Sequence, residues 1–233
     1  MDNYENAIAY IEEQEATNIS YVKIGNNSKN LIVSFASNNH NGFEQKTSLM
    51  KLKYERSDFD VLYLRNQFNW YLGGLNGIGK NINHTIAFLK KQFADYDTVI
   101  CTGFSAGGYA SILFGSLLEV DSVITEGAQI SLDYVIQKIP TNIEKMKISW
   151  NRLTSRKHEC KKTWKKYSQL NYILNESVEY YVYYNSDDRT SGIEIVLHGN
   201  YHFNLIKDFP SVNKLQPGGT HRRIIEFLEE TSL

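Results

Sequence analysis

The sequence predicts an α/β fold: a mostly parallel central sheet flanked by helices, with a basic, cap-like insertion. Three observations predict it. Short apolar runs rich in β-branched residues recur between turn-forming stretches, as is typical of buried parallel strands. Segments with helical spacing of apolar residues lie between several of these runs. One strand-like run passes directly into a helix-like run through a glycine-flanked serine at residues 103–108.

The strands are predicted from short runs of Val, Ile, Leu, Tyr and Thr that end in polar or glycine-rich turns. In chain order these runs occupy residues 19–24, 31–36, 60–64, 98–102, 122–126 and 179–184. The helices are predicted from apolar residues three and four positions apart, or from a continuous apolar stretch too long for one strand. These segments occupy residues 4–16, 83–93 and 109–118, and the chain closes on an amphipathic run from residue 222.

Length and composition favour one soluble domain over residues 1–233. The formal net charge of −1 gives no general attraction to nucleic acid or to a membrane surface. The two cysteines lie apart, Cys101 in a predicted strand and Cys160 in a basic segment, which argues against a disulfide framework and favours a reducing compartment. The first residues are acidic and lack an apolar signal region, and no run of about 18 apolar residues occurs. We therefore expect a cytoplasmic protein without a membrane span.

The glycine-flanked serine, Ser105, is the candidate nucleophile. A serine at a tight strand-to-helix turn presents its hydroxyl above the sheet edge, and the small residues Gly103, Ala106 and Gly107 let such a turn close. The start of the following helix favours negative charge at the same point. The alternative is a purely structural Gly-Ser turn.

With this G-x-S-x-G pattern in its strand–turn–helix context, the sequence resembles the α/β-hydrolase superfamily. The resemblance covers nearly the whole chain, in the order strand, nucleophile, acid, histidine. It implies an oxyanion hole made by one backbone N–H after the strand at residues 31–36 and one after the nucleophile. These positions are Ser37 and Ala106. The His-Gly signature of that first loop is absent, so the first donor is fixed only to within about one residue, and a plain polar turn is the alternative.

The resemblance also implies an acid after the strand at residues 179–184. The turn at residues 185–189 (NSDDR) is similar to the one that follows the superfamily's seventh strand, where the second of two carboxylates usually faces the histidine. We assign Asp188 as the acid, with Asp187 as the near alternative. An Asp-Asp pair is also a good helix cap, which is the structural alternative.

The histidine of such a triad follows the acid in the chain, which leaves His198, His202 and His221. His198 and His202 lie in or beside an apolar stretch and fit core or edge positions equally well. His221 lies in a glycine turn (PGGTHR) directly before the last amphipathic run, as the superfamily's histidine typically does. We therefore assign His221, with His202 second.

The polar and aromatic loop at residues 65–74 is a candidate substrate wall. Aromatic faces beside Asn, Gln and Arg side chains suit sugar rings and their hydroxyls, so Arg65, Trp70 and Tyr71 are predicted to bind substrate. The alternative is that Trp70 and Tyr71 simply pack beneath the loop.

A basic segment follows the strand at residues 122–126. Residues 138–166 contain ten Lys and Arg against two Glu, a formal excess of eight positive charges, and residues 131–175 are predicted to form a cap insertion. Such a surface would concentrate an anionic ligand near a catalytic mouth, and Lys161 and Lys165 are the predicted cofactor-binding residues. The alternative is a solvated helical face that carries lysines.

The elbow G-F-S-A-G-G-Y, the aromatic loop and the final G-G-T-H also resemble, more loosely, the α/β-hydrolase-fold O-acetyltransferases of bacterial capsular polysaccharides. This resemblance implies transfer of an acetyl group from acetyl-CoA to a carbohydrate, with no permanently bound cofactor and no metal. The alternatives are a cytoplasmic carboxylesterase or deacetylase of carbohydrate esters, and a non-catalytic carbohydrate-binding subunit. In the catalytic cases Ser105 attacks the acyl carbon, His221 moves the proton and Asp188 orients the imidazole.

Overall fold

A computed structural model describes residues 3–25, 28–37, 42–56, 59–66, 70–138, 141–142, 144–183, 204–206 and 228. Within these residues seven strands form one sheet in the order β1-β3-β2-β4-β5-β6-β7. Only β1 runs antiparallel, against β3, and every other described pairing is parallel. The strands are β1 Tyr21–Ile24, β2 Asn30–Phe35, β3 Asp60–Leu64, β4 Thr98–Phe104, β5 Ser122–Glu126, β6 Glu179–Tyr183 and β7 Asn204–Ile206. The predicted α/β class with a mostly parallel sheet is confirmed.

The helices cover both faces of the sheet. They are α1 Tyr4–Glu15, α2 Lys46–Arg56, α3 Ile82–Phe93, α4 Ala106–Leu118, α5 Leu132–Lys138, α6 Glu144–Glu159 and α7 Lys161–Tyr167, followed by a 3-10 helix at Leu170–Tyr172. Side chains of α3 to α7 share one buried cluster with one face of the sheet. Side chains of α1 and α2, together with Leu228, share a second cluster with the opposite face. This two-sided burial explains why the parallel strands are apolar on both faces.

Several boundaries differ from the sequence-based expectation. The leading strand begins at Tyr21, two residues late, and α4 begins at Ala106, so the small residues after the serine belong to the helix. Helix α2 was not predicted, because its lysine-rich pattern lacks a clear apolar stripe. It is held by tertiary burial of residues such as Leu49 and Met50, which overrides its weak local pattern.

The basic insertion contributes α5, α6, α7 and the 3-10 helix between β5 and β6. Its apolar residues Leu132, Leu153 and Trp164 belong to the same buried cluster as the sheet. The segment is therefore packed against the sheet through its apolar residues, while its role as a cap, like the alternative of a solvated helical face that carries lysines, stays a prediction. No helix within the described residues has the length and apolarity that a bilayer crossing requires.

The strand order places the predicted nucleophile at the middle of the sheet. Strand β4 lies between β2 and β5, with Phe35 paired to Gly103 and Phe104 paired to Glu126. The carboxyl ends of β2, β4 and β5 therefore meet at one edge. In open α/β sheets this is the edge at which ligands bind.

Candidate active site

Ser105 has a backbone conformation that is rare for a residue with a side chain. It joins β4 to α4 at φ 52° and ψ −114°, and its side chain makes no hydrogen bond that caps the helix. Its N–H donates to the carbonyl of Glu126 over 3.1 Å, and its own carbonyl accepts from the N–H of Tyr109 over 3.0 Å. The half-buried hydroxyl is thus held at the sheet edge by backbone contacts on both sides. A strained residue of this kind persists only when its surroundings fix it, and such residues cluster at functional sites.

Two glycines allow the turn to close. A Cβ at Gly103 would overlap the backbone of Gly107, and a Cβ at Gly107 would overlap the carbonyl group of Phe35. Backbone cannot rotate away as a side chain can, so both positions require glycine. The contact between Gly107 and Phe35 also presses the start of α4 against the end of β2, which brings the two predicted oxyanion loops side by side.

The predicted oxyanion donors lie on these two neighbouring segments. Ala106 is the first residue of α4, where backbone N–H groups have no partner inside the helix. Ser37 follows the end of β2 by two residues. The intervening residue, Ala36, cannot be the donor, because its N–H already donates to the carbonyl of Leu64 over 2.8 Å. The structure therefore brings Ser105, Ala106 and Ser37 to one edge. Their oxyanion role stays a prediction.

The buried carboxylate of Glu44 anchors Ser37. The hydroxyl of Ser37 donates a short hydrogen bond to Oε1 of Glu44, and both side chains are buried. The hydroxyl of Ser34 on β2 donates to Oε1 of Gln45, the residue after Glu44, over 3.3 Å. These contacts fix where the chain leaves β2 and where it returns at the start of α2. No sequence signal identified Glu44.

Trp70 is buried and contacts the elbow indirectly. Its indole N–H donates to Oε1 of Gln129 over 2.6 Å. The backbone N–H of Gln129 in turn donates to the carbonyl of Ser105 over 3.3 Å. Gln129 was missed in the sequence, although its place just after β5 is a signal that could have found it. Trp70 itself is only 1% exposed.

Tyr71 lies beneath the same edge. Its ring is fully buried, at 5.4 Å from the ring of Phe35 in an edge-on arrangement. Its hydroxyl lies 2.9 Å from the carbonyl oxygen of Ala36 and 3.1 Å from that of Leu64, its two acceptors. Burial raises the pKa of Tyr71 well above the ordinary tyrosine value, with a smaller contribution from the charge of Glu44, so it stays a neutral donor.

The side chain of Arg65 contacts the turn that follows α1. Its guanidinium donates to the carbonyls of Glu15, Thr17 and Ile19 over 2.9, 2.5 and 3.0 Å, and it is 4% exposed. Burial lowers the pKa of Arg65, an effect that the nearby charge of Glu15 opposes. Substrate contact by Arg65, Trp70 and Tyr71 stays a prediction, and none of the contacts described here supports it. The packing alternative accounts for all of them.

Lys161 and Lys165 are exposed on α7 and line an open groove of about 410 Å³. The remaining predicted catalytic residues, Asp188 and its alternative Asp187, and His221 with His198 and His202, lie outside the described residues.

Comparison with known proteins agrees with this architecture at the level of the fold. No protein-family model matches the sequence, and no curated protein matches it. Among solved structures, the capsule O-acetyltransferase of Neisseria meningitidis serogroup A aligns with a TM-score of 0.55 and 12% identity, over 90% of this chain and 89% of that one. An α/β-hydrolase enzyme from the sediment metagenome of the Mar Chica lagoon, Morocco, aligns with a TM-score of 0.52 and 13% identity, over 93% and 97%.

A third similar structure is that of the Glycosylation Associate Protein (Gap123) complex from Streptococcus agalactiae, with a TM-score of 0.50 and 14% identity. The alignment covers 77% of this chain but only 37% of that one, so this chain spans about a third of its length. Together with the sheet order and the strained serine, these likenesses give the chain the α/β-hydrolase fold.

Proposed function

We propose that this protein is a serine-dependent acyltransferase that moves an acetyl group from acetyl-CoA to a hydroxyl of a bacterial surface polysaccharide, such as a capsular one. The observation that carries the proposal is the backbone of Ser105, strained at the start of α4 with its hydroxyl unused by the helix. A structural serine at a helix start would ordinarily cap it. An uncapped, strained serine fits a nucleophile instead.

In the proposed first half-reaction the hydroxyl oxygen of Ser105 attacks the thioester carbon, and His221 accepts the serine proton. The carbon–sulfur bond then breaks, and coenzyme A leaves as a thiol with that proton. In the second half-reaction a sugar hydroxyl attacks the acetyl-serine and gives its proton to His221. The bond between the acyl carbon and the serine oxygen then breaks, and His221 passes that proton to the oxygen of Ser105. Backbone N–H groups of Ala106 and Ser37 stabilise the oxyanion at both stages, a contribution of about 3 kcal/mol per donor in related chemistry.

The sheet order supports the choice of acid and histidine. Tyr183 at the end of β6 pairs with Glu126, whose carbonyl accepts from Ser105. Strand β7 runs parallel to β6. Residues that follow parallel strands lie at their carboxyl edge. In chain order Asp188 follows β6 and His221 follows β7, whereas His202 precedes β7. The order therefore favours His221.

The proposal of a polysaccharide as the acceptor rests on similarity to a solved structure. A capsule O-acetyltransferase shares the fold over 89% of its length. The second candidate, a carboxylesterase or deacetylase that uses water as the acceptor, is supported by the α/β-hydrolase enzyme that shares the fold over 97% of its length. Both candidate functions would use the same residues of this chain, so only the acceptor, a sugar hydroxyl or water, distinguishes them.

Intact-protein mass spectrometry tests the proposal. Wild type and Ser105→Ala are mixed with acetyl-CoA, and separately with p-nitrophenyl acetate. The expected result is an acetyl adduct from both donors that is absent in the variant and is passed to added polysaccharide. If only p-nitrophenyl acetate labels Ser105 and water then hydrolyses the acetyl-serine, the result would support the esterase. No adduct from either donor would reject both and leave a carbohydrate-binding subunit.

A further inference from the structure

We infer that the groove beside α7 binds the phosphate-bearing nucleotide end of the acyl donor, through Lys161, Lys165 and Lys166 with Tyr172 as a stacking surface. The inference rests on the proposed acyl transfer for the identity of the donor. The groove holds about 410 Å³. Its lining residues are Asp133, Lys157, Lys161, Trp164, Lys165, Lys166, Ser168, Gln169 and Tyr172.

The charge of the groove is unbalanced. Its one carboxylate, Asp133, is already engaged: it accepts from Lys157 over 2.7 Å, from Ser168 over 2.8 Å and from the indole of Trp164 over 3.0 Å. Among the described residues, no acidic group lies within ion-pair distance of the three remaining lysines. Lys166 lies 4.9 Å over the ring of Tyr167, but none of the three ammonium groups has a carboxylate partner in the part of the chain that the structure describes. Three such groups around one groove favour a multiply charged anion over a neutral sugar.

An aromatic ring stands next to these charges. Tyr172 is 77% exposed, the most exposed of the large hydrophobic side chains in the described residues. A flat aromatic face beside cations suits a ligand that carries both a planar base and phosphates, because the base can stack while the lysines pair with the phosphates. Coenzyme A has this combination at the end opposite its thioester.

A short stretch of backbone connects the groove to the elbow. The backbone N–H of Gln129 donates to Ser105 over 3.3 Å. Two residues later Ser131 pairs with Gln169, which lines the groove. Two residues of extended chain span at most about 7 Å. The groove wall therefore lies a short distance from the nucleophile, which suits a donor whose phosphates and thioester are joined by a long flexible chain.

A second connection runs through α4. The hydroxyl of Tyr109 donates to the carbonyl of Tyr167, the last residue of α7, over 2.8 Å. Tyr109 is fully buried, and its own N–H donates to the carbonyl of Ser105. The helix that carries the lysines is thus fixed to α4, the helix that directly follows Ser105.

Binding is measured by titration calorimetry of coenzyme A into Ser105→Ala protein, so that no turnover interferes. The expected result is that Lys161→Gln with Lys165→Gln raises Kd about tenfold, and that Tyr172→Ala does so by a similar factor. The matched control is Lys90→Gln with Lys91→Gln, two exposed lysines in the last turn of α3, with Kd unchanged. Higher salt should weaken binding by the wild-type groove more than by the Lys161 and Lys165 variant.

Two competitors distinguish a phosphate-bearing ligand from a carboxylated glycan. Inorganic pyrophosphate should displace coenzyme A, and polygalacturonate, a carboxylated glycan, should not. Binding of the glycan without binding of coenzyme A, or an equal Kd in the groove variant and the α3 control, would overturn the inference. Its failure is distinct from failure of the proposed function. Acetylation of Ser105 by p-nitrophenyl acetate without coenzyme A binding rejects the groove alone, and coenzyme A binding without any acetyl-serine rejects the proposed chemistry alone.

Discussion

The indole N–H of Trp70 donates to Oε1 of Gln129 over 2.6 Å, and the backbone N–H of Gln129 donates to the carbonyl of Ser105 over 3.3 Å. The aromatic loop is therefore tied to the elbow through one glutamine. Trp70 has a positive φ of 48°, a conformation that such contacts must hold in place.

The first prediction concerns this pair. Trp70→Phe should lower the free energy of unfolding by about 1 kcal/mol, because it removes the donor and leaves the half-buried amide oxygen of Gln129 without it. Adding Gln129→Ala to that variant should cost less than Gln129→Ala costs in the wild type. Urea denaturation of the two single variants and the double variant measures this coupling. Additive losses would show that the contact does not link the loop to the elbow.

The second prediction concerns Gly107. Gly107→Ala should abolish acetylation of Ser105 and lower stability by about 3 kcal/mol, because the new methyl group meets the backbone carbonyl of Phe35. Gly115→Ala, later in the same helix, is the control. Its Cβ would meet a methyl group of the buried Val123 side chain and no backbone of the elbow, so stability should fall by about 2 kcal/mol while acetylation of Ser105 is retained. Equal effects at both positions would contradict the role of the backbone contact.

The third prediction concerns Glu44, which holds Ser37. Glu44→Ala should slow acetylation of Ser105 by p-nitrophenyl acetate about tenfold, because the loop that supplies one oxyanion donor loses its anchor. Glu44→Gln keeps an acceptor for Ser37 and should lose less. KM should hardly change in either variant. A loss of stability with an unchanged acetylation rate would limit Glu44 to a folding role.

The fourth prediction concerns Arg65. Arg65→Lys should lower the free energy of unfolding by about 2 kcal/mol, because lysine cannot reproduce the several carbonyl contacts of the guanidinium. KM should stay unchanged if Arg65 acts only on the turn after α1. A raised KM with unchanged stability would instead support the predicted substrate wall. Arg152→Lys, at an exposed position on α6, is the control and should change stability by less than about 0.5 kcal/mol.

The fifth prediction is a pH dependence at Asp133. Burial acts to raise the pKa of this carboxyl, but hydrogen bonds from Lys157, Ser168 and Trp164 outweigh it, so the pKa is lowered in the folded protein. A lowered pKa means that the ionised carboxylate stabilises the fold above its unfolded pKa of about 3.9, and that this contribution is lost as the pH falls through the lower folded value.

The difference in urea midpoint between wild type and Asp133→Asn should therefore be constant from about pH 7 to 5 and shrink below about pH 4. Asp97→Asn provides the control at pH 7. Asp97 is 74% exposed and pairs with Lys29 at 3.8 Å, so its replacement should shift the midpoint little. A difference between wild type and Asp133→Asn that grows toward low pH would contradict the assignment.

The strands could be predicted because burial on both faces leaves a plain signature, a short apolar β-branched run such as Thr98–Phe104. The elbow could be predicted because its glycines are required by backbone contacts. Helix α2 could not, since its stability comes from what packs on it. The burial of Trp70 and Tyr71 could not be decided either, because an aromatic ring with a polar handle suits a binding wall and a core equally well.

The residues around the elbow differ in how much freedom they have to change. Gly103 and Gly107 are confined by neighbouring backbone, which no compensating side-chain change can relieve. The lysines of α7 extend into solvent from a helix that is held by the separate contact between Tyr109 and Tyr167. A lineage that carried this fold could therefore exchange the charges of the groove one at a time while the backbone of the elbow stayed the same.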